Sequence, residues 1–245
     1  MELSRAGRTW ALSAASASAG WSLSLVEHGA EREPVVVIDN FAPAPDRLID
    51  DAGFLSFQPI GPHYPGIRAV VAPAMLHDLM VALEPVVAEA FGCPAFEVID
   101  AFYSLVTTRP SALAPIQRLP HFDGVERERL ALLHFLARDE RSGTAFYRHR
   151  STGFETVTAE RLPAYRRSLD ADIGTHGLPP PGYIDGNTPI FDRIARYEGR
   201  FNRAILYRSN TLHCAAIPED MAFVADPRAG RLTVNTFLMA ETRGR

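Results

Sequence analysis

Beyond residue 95 the chain is a succession of short β-rich runs, and this most restricts how it can fold. Runs cover 96–107, 129–137 and 143–148, and strands resume at Phe201 and again at Arg231. Each is rich in aromatic, β-branched or other apolar residues and is closed by proline, glycine or polar residues, as strands bounded by turns are. Helical patterns come earlier. Residues 45–54 read as a helix with Asp46 in the first turn, where a carboxylate suits the positive end of the helix dipole. Residues 73–91 carry Ala, Leu, Met and Val at helical spacing, with Gly92 as a stop and Pro85 as a point of kinking.

The rest fits around these elements. A strand is expected over 20–27, a short buried strand over 35–39 and a turn-rich loop over 61–66. Between the later strands lies an interruption, 155–200. In it 159–170 reads as a helix with Arg161, Arg166 and Arg167 exposed, 177–187 as a proline-glycine loop and 188–197 as a second short helix. Helices first, strands later, with a break inside the strand region, predict a mainly β fold with flanking helices (α+β). The expected architecture is a double-stranded β-helix, or jelly roll, with N-terminal helices and a helical insertion. No repeat or linker divides the sequence, so one domain over 1–245 is expected, with 1–30 as an N-terminal arm and strand.

Composition excludes several functions. A net charge of −4 gives no electrostatic case for nucleic acid. No apolar run is long enough to span a bilayer, so no membrane partner is expected. Arg5 and Arg8 ahead of the Ala/Ser-rich stretch 10–19 have the outline of an export signal, but the stretch lacks a leucine core and a loose arm is expected instead. Cys93 and Cys214 offer no disulfide framework and fit a reducing, cytoplasmic setting. All 25 basic residues are arginine; without lysine, Schiff-base chemistry and a Walker-type phosphate site are excluded. Any cation that grips a carboxylate must then be arginine, whose planar fork can do so through two hydrogen bonds.

One constellation carries chemistry. His121-Phe122-Asp123 sits at a strand end, between 118–120 and Gly124. On a strand, residues two apart share a face, so His121 and Asp123 can grip one ion while Phe122 points away. His213 closes the run 205–213, an apolar strand followed by polar residues, and Arg231 opens the alternating run 231–238. Two imidazoles and one carboxylate are the ligand set of mononuclear non-haem Fe(II) sites with open positions. An isolated H-x-D triplet is weak evidence. Its weight here comes from order: a strand with H-x-D, several strands, a strand with His, then a strand opening on Arg.

That order resembles the Fe(II)/2-oxoglutarate-dependent dioxygenase superfamily, in particular its prolyl 4-hydroxylase-like branch. The resemblance runs in patches: 35–41 with Pro43, 100–107, 130–137, 142–147, 202–207 with His213, and 230–233. Three features depart from it. The family's glycine pair reads Ser142-Gly143, 92 positions separate His121 from His213, and 18 separate His213 from Arg231, so 218–229 is expected to be a loop or flap.

The resemblance implies an enzyme, a hydroxylase in which His121, Asp123 and His213 hold Fe(II) and act as the catalytic centre. It further implies 2-oxoglutarate as co-substrate and O2 as oxidant, with oxidative decarboxylation coupled to attack on a substrate C–H bond. Arg231 would hold the distal carboxylate and Thr233, on the same side of the strand, would add a hydrogen bond. Tyr103 is similar to the tyrosine that contacts the co-substrate in prolyl hydroxylase-like members. The substrate would be an amino acid, a peptide or another small molecule. Two alternatives remain at this level: a catalytically silent jelly roll that binds a ligand or partner, and a cupin-like metalloenzyme without 2-oxoglutarate. His134 reads as a buried, hydrogen-bonded core residue, Cys214 as a small core residue turned away from His213, and His149 with Arg148 and Arg150 as a solvated or substrate-facing basic patch. The sequence sets no oligomeric state.

Overall fold

The computed structural model describes residues 9–10, 20–61 and 63–241. The rest of the N-terminal arm, and with it the export-like stretch apart from Trp10, lies outside the described residues. The strands are β1 (Thr9–Trp10), β2 (Ser22–His28), β3 (Glu33–Asp39), β4 (Gly66–Val70), β5 (Ala95–Val106), β6 (Arg129–Phe135), β7 (Gly143–His149), β8 (Phe191–Glu198), β9 (Ala204–Arg208), β10 (His213–Ala216) and β11 (Arg231–Glu241). The helices are α1 (Pro45–Gly53), α2 (Pro73–Phe91) and α3 (Leu162–His176).

All pairings are antiparallel. One sheet runs β1-β2-β3-β9-β6-β11-β5-β4 and the other β10-β7-β8. After β5 the chain crosses repeatedly from one sheet to the other. His121 bridges to His213 on β10, β6 returns to the large sheet, β7 and β8 lie in the small one, and β9, β10 and β11 alternate again. Strands remote in sequence thereby become neighbours, which is the connectivity of a double-stranded β-helix. The fold is mainly β with flanking helices, as expected.

Strand alternation sorts side chains into three layers. Val36, Ile38, Leu130, Leu132, Leu206, Leu232 and Val234 face α1 and α2, and pack against Leu48, Ile49, Leu79, Leu83 and Val87. Val35, Val37, Leu133, Phe135, Ile205 and Tyr207 face the other way, meeting Phe146 of the small sheet. Ala145, Tyr147, Cys214 and Ala216 form the outer face of the small sheet, covered by Tyr165 of α3. Alternation at the last strands turns His213 inward and Cys214 outward, the orientation expected of that cysteine. Pro85 lies inside α2 without ending it, and Gly92 stops the helix in the left-handed region, φ 72°, its N–H donating to the Ala88 carbonyl.

One expectation is corrected. Residues 188–197 are not a helix: Phe191–Glu198 is β8, paired with β7. Ile194 forms a bulge there, because Ala195 opposes Phe146 while Arg193 opposes Tyr147. One extra residue breaks the two-residue alternation and leaves apolar residues at helix-like spacing. The run 205–213 divides, as expected, into an apolar strand and polar turn residues: β9 ends at Arg208, the chain turns through 209–212, and His213 opens β10 in the other sheet. The strand β4, at the end of the large sheet, follows the 61–66 loop and was not expected. Helix α3 lies a few residues later than predicted, and 177–187 is the loop expected. Among the described residues no helix is long and apolar enough to cross a membrane.

Candidate metal centre

His121 and His213 are a hydrogen-bonded antiparallel pair: each backbone N–H donates to the other's carbonyl at 2.8 Å. Directly opposed residues share a face, so the two rings stand side by side, with centroids 4.5 Å apart. Asp123 returns to that face two positions on, held by its N–H to the Ser209 carbonyl at 2.8 Å. Its carboxylate approaches both rings, Oδ1 at 3.7 Å from His121 Nε2 and Oδ2 at 3.4 Å from His213 Nε2. Phe122 turns away against Tyr165, with centroids 6.0 Å apart. One ligand atom from each of His121, Asp123 and His213 lies within 4.8 Å of the others.

The electrostatics favour a cation. For Asp123, enclosure pushes the pKa up, but the hydrogen bond and charge of His213, with His121 and Arg68, outweigh it and bring the value down to about 2. For His121, the low-polarity surroundings of the cavity and the His213 charge push the value down to about 4, leaving a neutral ring with a free lone pair. His213 Nδ1 lies 2.8 Å from the Thr211 carbonyl. A carbonyl only accepts, so Nδ1 carries a proton toward Thr211 and Nε2 is the nitrogen turned to Asp123. Two imidazoles and an ionised carboxylate on one face suit a divalent transition ion with open positions, Fe(II) among them.

The three residues open into a cavity of about 610 Å³, within the ~300–1,000 Å³ usual for small-molecule sites. Arg231 lies in its wall, 3% exposed. Its Nε donates to Ser142 Oγ at 3.1 Å and its Nη2 to the Gly143 carbonyl at 3.3 Å. Among the described residues no carboxylate lies within ion-pair distance of it. Burial lowers its pKa, opposed by Tyr64, Tyr183 and Tyr207. The departure at 142–143 has a local reason. Ser142 supplies an acceptor for Arg231, and a Cβ on Gly143 would meet the Tyr197 carbonyl oxygen at 2.2 Å.

Other expected residues stand elsewhere. Tyr103 does not reach the cavity. It opposes Val234 in register, hence faces α1 and α2, and its hydroxyl donates to Asp51 at 2.9 Å. Thr233 is on the Arg231 face, but its hydroxyl donates to Asn235 Oδ1 at 2.7 Å rather than standing free. His134 is a core residue, its Nε2 3.0 Å from Asn202 Oδ1. The 148–150 segment is not a free basic patch. His149 is fully buried with Nε2 3.0 Å from Asp172, Arg148 pairs with Glu155, and Arg150 pairs with Asp192.

Tyr64 and Arg68 line the cavity without having been singled out in the sequence, beside Tyr183 of the expected 177–187 loop. Tyr64 Oη and Ser104 Oγ lie near one another, yet both are buried and neither meets a partner at hydrogen-bonding geometry. Tyr183 donates to the Thr108 carbonyl at 2.7 Å and stacks on Phe223 of the 218–229 segment, whose loop character was expected. The signal for Tyr64 and Arg68 was weak: they flank the turn-rich 61–66 loop, and nothing local shows which way they face.

Residues 19–238 match the model of a family described as "Family of unknown function (DUF6445)". No curated protein matches the chain. Among solved structures it is similar to HygX from Streptomyces hygroscopicus, with nickel and 2-oxoglutarate bound, at 11% identity over 86% of this chain and 85% of that one, TM-score 0.49. It is similar to EctD from S. alaskensis with bound Fe, at 14% identity over 98% and 82%, TM-score 0.47. It is similar to a Pseudomonas putida prolyl-4-hydroxylase, at 12% identity over 87% and 95%, TM-score 0.39.

Proposed function

This chain belongs to DUF6445, a family of unknown function, and we propose that it is an Fe(II)- and 2-oxoglutarate-dependent oxygenase that hydroxylates a small molecule. One observation carries the reading: Arg231, buried in a wall of the cavity that the ligand triad opens into, has no carboxylate partner among the described residues. An arginine desolvated and left unpaired is costly, unless a ligand brings the anion.

His121, Asp123 and His213 would hold the iron. Iron(II) in such a set supplies the activation of O2 that accompanies oxidative decarboxylation of a 2-oxo acid. Arg231 would hold the distal carboxylate of 2-oxoglutarate through its planar fork. Tyr64, near enough to Arg231 for each to shift the other's pKa, takes the part first given to Tyr103, donating its unpaired hydroxyl to the same carboxylate. The Thr211 carbonyl keeps the His213 ring turned and tautomer-fixed. Phe146 and Tyr207, whose rings lie 6.1 and 5.0 Å from that of His213, exclude water behind the site.

The test is an anaerobic titration of metal-free protein with Fe(II) and then 2-oxoglutarate, watching for the weak visible charge-transfer band of the chelate. A band that is lost in Arg231→Gln supports the reading. Iron binding without a band gives a metalloenzyme that does not use 2-oxoglutarate; no iron binding gives a non-catalytic jelly roll.

A further inference from the structure

The cavity wall holds four arginines, Arg68, Arg118, Arg166 and Arg231, against a single carboxylate, Asp123. This is a cationic chamber in a chain of net charge −4. The co-substrate accounts for Arg231. Arg118 turns its Nε and Nη2 to the Leu113 carbonyl, and Arg166 is exposed on α3. Arg68 is different. It lies on β4 opposite Ser104, which opposes Thr233, so register puts it on the inward face, in the strand row next to that of Arg231. Its guanidinium stacks over Tyr64 at 4.0 Å and lies 5.4 Å from the ring of Phe102. Its Nε is buried without a partner, and among the described residues no carboxylate lies within ion-pair distance. Stacking fixes the plane of the guanidinium and leaves its edge for an anion.

Another part of the wall is apolar. Leu162, Tyr165 and Leu169 of α3, at i, i+3 and i+7, lend one stripe of the helix to the cavity, beside Phe122 and Ile116. Resting on the function proposed above, we infer that the substrate is an amphipathic carboxylic acid, its carboxylate gripped by Arg68 and its hydrocarbon body laid along the α3 stripe. The cavity then holds two carboxylate sites in adjacent rows of one sheet, Arg231 for the co-substrate and Arg68 for the substrate.

The test compares octanoate with octanamide by calorimetry, on protein loaded with Mn(II) and 2-oxoglutarate. Octanoate is expected to bind about tenfold or more tightly than octanamide, from a charged hydrogen bond that the amide lacks. Arg68→Met should abolish the preference while holding 2-oxoglutarate affinity within about twofold, and Arg68→Lys should retain part of it. Arg231→Met should keep the preference and lose the co-substrate. The inference is overturned if acid and amide bind alike, or if no straight-chain acid from butyrate to decanoate binds. It is also overturned if Arg68→Met keeps the acid preference, or loses 2-oxoglutarate instead. If wild-type protein fails to bind 2-oxoglutarate, the oxygenase reading falls, and the same acid-against-amide comparison with Mn(II) alone still decides the role of Arg68.

Discussion

His213 Nδ1 donates to the carbonyl of Thr211, two residues earlier, at 2.8 Å. The turn that carries the chain from β9 into β10 thus also sets the tautomer of the residue that opens β10, before any ion binds. The ring is oriented by backbone, so no side-chain substitution in that turn replaces this bond. The ligands themselves are open to test. His213→Ala, His121→Ala and Asp123→Ala should each weaken Fe(II) or Mn(II) binding by about a hundredfold or more, since loss of even an outer-shell partner costs ~10–100-fold. Calorimetric titration checks this, with circular dichroism showing the fold retained.

Arg231→Gln should leave metal affinity unchanged and weaken 2-oxoglutarate binding by about 10- to 100-fold, the worth of charge-assisted hydrogen bonds. Stability should fall by no more than ~1 kcal/mol, because two neutral acceptors are lost while an unpaired buried cation is also removed. A denaturant melt beside the binding isotherm separates a lost co-substrate contact from a disturbed core. Unchanged 2-oxoglutarate affinity would take Arg231 out of the role proposed for it.

Tyr64 and Tyr103 part company in the same assay. Tyr103→Phe removes a hydrogen bond to Asp51 on the helix side and should cost about 1 kcal/mol of stability with no change in 2-oxoglutarate affinity. Tyr64→Phe removes a hydroxyl with no protein partner, so it should barely alter stability and should weaken 2-oxoglutarate binding by about fivefold to tenfold. The reverse pattern would restore Tyr103 to the site.

The proposed ligand triad was legible because its spacing is local: H-x-D needs only strand alternation, and the β-rich runs around His213 and Arg231 announce strands. Tyr103 was misplaced because β5 is apolar on both faces, with Tyr103 and Leu105 toward the helices and Val106 toward Ile217 and Met221. Its parity therefore cannot be read without the register that places Val106 opposite Arg231. The strand β8 was hidden by its bulge at Ile194, which gives Phe191, Ile194 and Ala195 a helical look. His149 sits between two arginines in sequence, yet each of the three finds its own carboxylate only in three dimensions. Arg68 stayed unremarked because its meaning lies in what it lacks, a partner, and sequence does not record that.

Two buried histidines outside the proposed ligand triad, His134 and His28, contribute to the response to acid. His134 sits against Phe41, 5.0 Å between ring centroids. Its Nε2 bonds to Asn202 Oδ1, which can only accept, so Nε2 carries the proton and Nδ1 is left buried and bare. Desolvation pushes His134 down to about 4, and His28, near Phe146 and Tyr197, is likewise pushed by burial down to about 4. A histidine that resists its proton only when folded makes the unfolded chain the stronger proton binder between the unfolded value of 6.5 and 4. Stability is then fully present above pH ~6.5 and declines as the pH falls through that window. From pH 7 to pH 5 each site should cost about 2 kcal/mol. Urea unfolding at the two pH values checks this. His134→Gln, which keeps a donor toward Asn202 without a titrating ring, should remove that site's share of about 2 kcal/mol from the decline, and an undiminished decline in that variant would place the acid sensitivity elsewhere.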